Sequence, residues 1–255
     1  VVYKRSAEDV LLICRKDLVA QTVKRLSMFV LRAKAKLSDA SDEFQLLGLA
    51  GDAVLAALNG ATTEPWHRHA ADAADVLTLY PSLSQPRALW IAPHDVAAPA
   101  GAPLSADLWQ VGEVMSGIAW VELATFEAFV PQMLNYESVD GVNFKKGCYP
   151  GQEVVARSQF RGTIKRRAFI VSCDAPLSVA QEIFASDDGT QACGTVSSAA
   201  QLEVTSTAAA EAPAGTWWGI ASLQLSALEH KLTLGSSTGP QMHLHALPYP
   251  LLEDI

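Results

Sequence analysis

The chain has 255 residues, 49% of them hydrophobic and 18% charged, with a formal net charge of −8. That length and apolar content predict one or two domains with a real core and exclude a disordered chain. The acidity excludes a protein that coats nucleic acid nonspecifically, and no apolar run approaches the roughly 18 residues of a membrane helix. Cys14, Cys148, Cys173 and Cys193 are too irregularly spaced for a zinc knuckle or a redox pair with a two-residue gap. No secretory signal is visible, so a soluble cytoplasmic protein, in a reducing compartment, is expected. The chain opens on Val1-Val2-Tyr3, as though already inside a strand, and further sequence upstream is expected.

Asp9 to Cys14 reads as a strand, and apolar residues at helical spacing from Leu18 to Val30 predict an amphipathic helix over Asp17 to Arg32. Phe44 to Leu49 starts a second unit, followed by a short helix from Asp52 to Leu58 that Asn59-Gly60 closes with a left-handed stop. Asp75 to Tyr80 and Arg87 to Ile91 predict a hairpin around Pro81 and Pro86, and Pro93 to Pro103 a loop. Ser105 is placed to cap a helix through Leu108, Trp109 and Val111 toward Met115. Thr125 is placed to cap another through Phe126, Phe129 and Pro131. From Lys165 the pattern changes to short alternating apolar segments at 168–172, 182–185, 194–198, 217–225, 231–234 and 242–247. That predicts an antiparallel barrel or sandwich, with a boundary near 160–165. Ala208 to Ala214 reads as a surface loop, and no internal repeat is seen.

Between the helices and the barrel stands FKKGCYPGQEVVAR, residues 144 to 157. Pro150 suits the first turn of a helix continuing through Gln152 to Arg157. Cys148 then falls just ahead of an N-terminus, where free amides, the positive end of the helix dipole and the charges of Lys145 and Lys146 favour a thiolate. Such a thiol is nucleophilic, oxidisable or able to hold a soft metal. Gly147 and Gly151 keep the backbone slim for a ligand's approach, and Glu153 and Arg157 fall four apart on one face, where they can pair. The competing reading is a small packing residue beside an ordinary helix-stabilising pair.

The run from Gly141 to Arg157, with Lys146-Gly147-Cys148-Tyr149 followed by Gly151-Gln152-Glu153, resembles the signature of the YgfZ family of folate-binding proteins. The similarity extends over Phe129-Val130-Pro131-Gln132-Met133-Leu134-Asn135, Phe160-Arg161-Gly162 and the ending Leu247-Pro248-Tyr249-Pro250-Leu251. The resemblance implies an α+β fold shared with the T-protein of the glycine cleavage system, an aminomethyltransferase. Residues 1–42 would be the remainder of a ferredoxin-like part, 43–162 a folate-binding domain carrying the signature, and 163–255 a C-terminal antiparallel β-barrel. It further implies tetrahydrofolate or a folate derivative as ligand, and a role in assembling or repairing iron–sulfur proteins. Radical tRNA-modifying enzymes among those clients would link it to tRNA modification. Cys148 matches the family's functional cysteine, with Lys146 beside it. Trp109 matches a tryptophan at the folate site, and Tyr149, Gln152, Glu153 and Arg157 of the signature are implied in ligand binding. An accessory factor is expected rather than a self-sufficient enzyme.

Two rivals remain at this point. A folate-dependent aminomethyltransferase or demethylase would follow from the T-protein relationship, but Met115 stands where relatives often carry a carboxylate. A direct tRNA-binding module is suggested by Arg161, Lys165, Arg166 and Arg167, a cluster that could equally hold a folate's glutamyl tail or be a solvated face. His243 and His245 alternate on a strand and could share a metal, though no third ligand is near in sequence. His67 and His69 beside Trp66 and Arg68 read as a polar loop or a base-stacking patch. Trp217-Trp218 puts one ring on each face of a strand, one in the core and one at an edge or ligand. The glycine spacing of a dinucleotide loop is absent around Gly48 and Gly51.

Overall fold

The computed structural model describes residues 1–186, 188–201 and 216–252, with the backbone alone for 188–190. Ala208 to Ala214 lies outside the described residues. The chain divides into two compact units, one of residues 1–103 with Val121–Leu123, the other of residues 104–120 and 124–255.

In the first unit β1 (Val2–Lys4) pairs antiparallel with β2 (Val10–Leu12), and α1 (Val19–Ser27) follows a 3-10 turn. The helix stops five residues short of the expected Arg32. None of its residues is fully buried, so little packing supports extension past Ser27, and the exposed Phe29 lies by the Arg25 guanidinium, 5.2 Å from its ring centre. A four-stranded antiparallel sheet follows in the order β3 (Phe44–Ala50), β6 (Gln85–Pro93), β5 (Ala74–Ser82), β4 (Arg68–Ala71). The expected hairpin is β5–β6. Its turn is Leu83-Ser84, with φ of +51° and +58°, and Pro81 and Pro86 lie within the strands, Pro81 at a register shift where a missing N–H costs no ladder bond. α2 (Asp52–Leu58) packs on β3 and β6 and ends at Asn59 in the left-handed region (φ +47°), as the Asn-Gly pair predicts. Val54, Val76, Ala88 and Trp90 form its core with that sheet.

Arg68 and His69 belong to β4, which corrects the loop expected there. Strand pairing with Leu77 and Val76 holds their backbone, and Arg68 pairs with the buried Asp75 at 2.6 Å. Asp75 also accepts a hydrogen bond from the Tyr3 hydroxyl at 3.1 Å. Burial, and then that carboxylate, push the phenol's pKa up.

The second unit is built on a closed six-stranded antiparallel barrel. Its strands are β7 (Arg166–Cys173), β8 (Glu182–Ala185), β9 (Asp188–Gln201), β10 (Trp217–Gln224), β11 (Leu232–Leu234) and β12 (Gln241–His245), in the order β10-β7-β12-β11-β8-β9. The fold is therefore α+β with an antiparallel barrel at its C-terminal end, as expected. Alternate residues fill the barrel: Val171 and Cys173 of β7, Ala221 and Leu223 of β10, Leu232 and Leu234 of β11. β9 lies close against β10 at Gly194, which pairs with Leu223 and where a Cβ would overlap the Leu223 side chain.

α3 (Ala106–Met115) covers the outside of β9 and β10. Its N-cap Ser105 Oγ accepts the Leu108 N–H at 3.1 Å, as predicted. The second predicted helix does not form. Thr125 ends a 3-10 turn, Glu127 has φ +59°, and the next turn is again 3-10, over Pro131–Leu134. A left-handed residue two positions past Thr125 interrupts any α-helical ladder.

A hydrogen-bonded clasp ties these turns to the barrel and to the chain's ending. Asn135 (φ +58°) donates from Nδ2 to the Ala168 carbonyl and accepts the Ala168 N–H on Oδ1, supplying β7 with a side-chain mimic of a strand partner. The Tyr249 hydroxyl donates to the Gly117 carbonyl at 2.8 Å. Buried Arg167 donates to Glu137 at 2.5 Å and to the Leu252 carbonyl at 2.8 Å, while the Leu252 N–H donates to Ser138 Oγ. Burial and the neighbouring Tyr249 push the pKa of Tyr136 up to about 12, and its hydroxyl donates to the Ala119 carbonyl.

Candidate functional site

The signature forms a loop and the helix α4 (Gln152–Phe160). The helix starts later than the sequence suggests. Gly151, at φ +85°, is the N-cap and Pro150 precedes it, because only a residue tolerant of the left-handed region makes the entry turn. Cys148 therefore sits three residues ahead of the cap, and it is exposed.

Local contacts order the loop around the thiol. Asn143 Oδ1 accepts the Lys145 N–H at 2.8 Å, and the Lys146 ammonium lies 4.6 Å from the Tyr149 ring centre. Gln152 Oε1 accepts the Tyr149 N–H at 3.3 Å, and Phe144 meets Phe160 edge-on with ring centres 5.2 Å apart. Glu153 and Arg157 pair on the exposed face of α4, as the spacing predicts. The opposite face is anchored: Val155 is buried, and Gln132 Nε2 donates to its carbonyl at 2.8 Å. The loop thus holds Lys146, Tyr149 and Gln152 in one contact chain beside a solvent-facing sulfur. A thiol presented in this way is open to a substrate or a partner protein.

Trp109 stands on α3 and is half-buried.

The basic cluster is taken apart by the fold. Arg167 is consumed by the Glu137 pair, and Arg166 Nη1 donates to the Cys193 carbonyl at 3.3 Å, while Arg161 is exposed. Arg167 therefore leaves the expected four-cation cluster, while Lys165 and Arg166 line one cleft. Strand alternation inside β7 sends Arg166 and Arg167 to opposite sides.

His245 Nε2 lies 2.8 Å from Ser172 Oγ, and its ring lies 4.6 Å from that of Trp218. Burial, then His243, lower its pKa. No group of three metal-ligating side chains occurs among the described residues. Trp217 packs on the barrel core. Trp218, on the outer face, is only 3% exposed, so the half-buried Trp217 is the more accessible of the two.

One feature escapes sequence reasoning. A cleft of about 750 Å³ opens where the Val130–Met133 turn, Ser158 of α4, the 163–166 link into β7 and the end of β10 converge. Its residues come from four separate stretches with no shared period, so only the tertiary fold collects them.

No family model matches the chain. Curated relatives do, and the three that follow are each called tRNA-modifying protein YgfZ. The protein of Sodalis glossinidius is 34% identical over 176 residues, 64% of this chain and 54% of the relative. That of Edwardsiella ictaluri is 38% identical over 99 residues, 36% of this chain and 30% of the relative. That of Serratia proteamaculans is 31% identical over 236 residues, 86% of this chain and 68% of the relative. The chain thus spans about half the length of the Sodalis relative. Because the Serratia match runs through both units at that identity, the signature is no isolated coincidence, and the chain belongs to the YgfZ family.

Proposed function

We propose that this chain belongs to a cytoplasmic tetrahydrofolate-binding accessory protein that assists the assembly or repair of iron–sulfur proteins and so supports tRNA modification indirectly. The observation that carries this reading is Cys148, a free and exposed cysteine on the family's signature loop. Relatives named for tRNA modification support it. In this reading Trp109 stacks on the pterin, Cys148 meets the client or its ligand, and Lys146 holds positive charge near the sulfur. Tyr149 and Gln152 fix the loop's shape. No helix among the described residues is long and apolar enough to cross a membrane.

Two measurements test the reading together. Cells lacking the protein are expected to lose radical tRNA methylthiotransferase activity and to regain it with the full-length native form. Tetrahydrofolate titrated into the full-length protein is expected to bind, and Trp109→Ala to weaken binding at least tenfold, as loss of a stacking partner does. Normal methylthiotransferase activity in the deleted cells would sink the iron–sulfur role. Equal tetrahydrofolate affinity for native protein and Trp109→Ala would remove Trp109 from the site.

A further inference from the structure

Helix α4 turns one face inward and leaves the other to solvent. Val155 and Gln159 are buried, whereas Val154 is 55% exposed and Phe160 50%. At about 100° per residue, Phe160, Glu153, Arg157 and Val154 fall in that order around roughly 120° of the outward side. Phe144 meets the Phe160 ring edge-on, so this face continues onto the turn that carries Lys145 and Lys146. Exposed apolar side chains are ordinary when scattered, but a pair of contacting phenyl rings with an exposed valine, rimmed by charge, marks an interaction site.

The charge of the face is opposite to that of the chain. Residues 144–161 hold Lys145, Lys146, Arg157 and Arg161 against the single carboxylate of Glu153, in a chain of net charge −8. All four cations are exposed, and Glu153 pairs with Arg157. Lys145, Lys146 and Arg161 therefore set a locally positive field. Such a field reaches about 8–10 Å in physiological salt, so it acts on a short segment seated on it, while a long polyanion such as RNA also meets the acidic remainder of the chain. Val154, moreover, offers no ring for a base to stack on and is best covered by an apolar side chain.

We propose that the outward face of α4 and the Phe144–Lys146 turn form a docking surface for a short acidic segment of a partner protein. An apolar side chain of that segment covers Phe144 and Phe160, and its carboxylates meet Lys145 and Arg161, which adjoin the two rings in sequence. The segment so held lies on the stretch that presents Cys148. That the partner is an iron–sulfur client rests on the proposed function; the surface and its preference for acidic segments do not.

Fluorescence anisotropy of the full-length protein with labelled heptapeptides tests it. The acidic probe Glu-Asp-Phe-Glu-Leu-Asp-Glu is expected to bind with a Kd tighter than about 100 μM at low salt and to weaken as salt rises. The same peptide with Ser for Phe and Leu, or with Lys for every Asp and Glu, is expected to bind at least about fivefold more weakly. Phe160→Ser and the double variant Lys145→Glu/Arg161→Glu are each expected to weaken the acidic probe about tenfold. The double variant alters only exposed side chains and so leaves the packing of α4 in place. No binding of the acidic probe, equal affinity for the basic one, or unchanged affinity in the double variant overturns the proposal. A labelled heptauridylate that binds more tightly than the acidic peptide, and loses affinity in the same variant, also overturns it and makes the surface an RNA site. Binding of the acidic probe together with normal methylthiotransferase activity in cells lacking the protein would uphold the docking surface and remove the iron–sulfur client.

Discussion

Two neighbouring parts of the second unit use their polar side chains in opposite ways. In the clasp, Asn135, Glu137, Arg167 and Tyr249 are all buried and bonded to backbone or to one another, so each carries part of the fold. In the signature loop, Lys146 and Cys148 are exposed, and the contacts that exist shape only the loop itself. The clasp explains why the segment from Tyr249 to Leu252 stays in place. The loop's exposed thiol, by contrast, contributes nothing that the fold requires. A polar residue's partners therefore separate the two roles: bonds into the core mark stability, and local bonds around an open group mark chemistry.

The largest effect should come from breaking the clasp at its charge pair. Arg167→Ala leaves Glu137 buried and uncompensated, and a loss of about 3–5 kcal/mol is expected in chemical denaturation. The double variant Arg167→Met/Glu137→Met is expected to recover most of it, because the cost lies in the stranded charge. Next comes Gly117→Ala. Gly117 has φ +70°, and a Cβ there would lie 2.9 Å from Tyr249 Cε1, so a loss of about 1–3 kcal/mol is expected, read from the same denaturation midpoint. Ser105→Ala removes the α3 cap and should cost about 1 kcal/mol. At the other end of the scale, Cys148→Ala is expected to leave the midpoint unchanged, since an exposed side chain away from core, cap and ion pair has no destabilising mechanism available. A clasp variant with unchanged stability, or a Cys148 variant with a large loss, would erase the contrast.

Much of the barrel was legible in the sequence because an alternating apolar pattern and the pleat of a strand share the same period of two. Segments 168–172, 182–185 and 194–198 fall inside β7, β8 and β9 for that reason. The Ser105 cap and the Asn59 stop were legible because each depends on one residue's local chemistry. What escaped was decided by tertiary context. Helix α1 stops at Ser27 because its apolar stripe is only partly buried, and the stretch after Thr125 turns left-handed at Glu127. Arg167 looks like its neighbours in a basic run, and only the pairing of β7 against the Glu137 turn shows that it is a core residue. In the candidate site, the Glu153–Arg157 pair could be read from spacing alone. Gln132 could not, since its unpartnered oxygen becomes visible only when α4 packs on the 131–134 turn.

The central claim, that the signature loop is built around a working thiol, is tested most directly by supplying Cys148→Ala in full-length form to cells lacking the protein. The readout is the activity of an iron–sulfur enzyme such as a radical tRNA methylthiotransferase. No rescue is expected from a variant that is as abundant and as stable as the native protein. Full rescue would contradict it and reduce Cys148 to an exposed residue without a part in the chemistry.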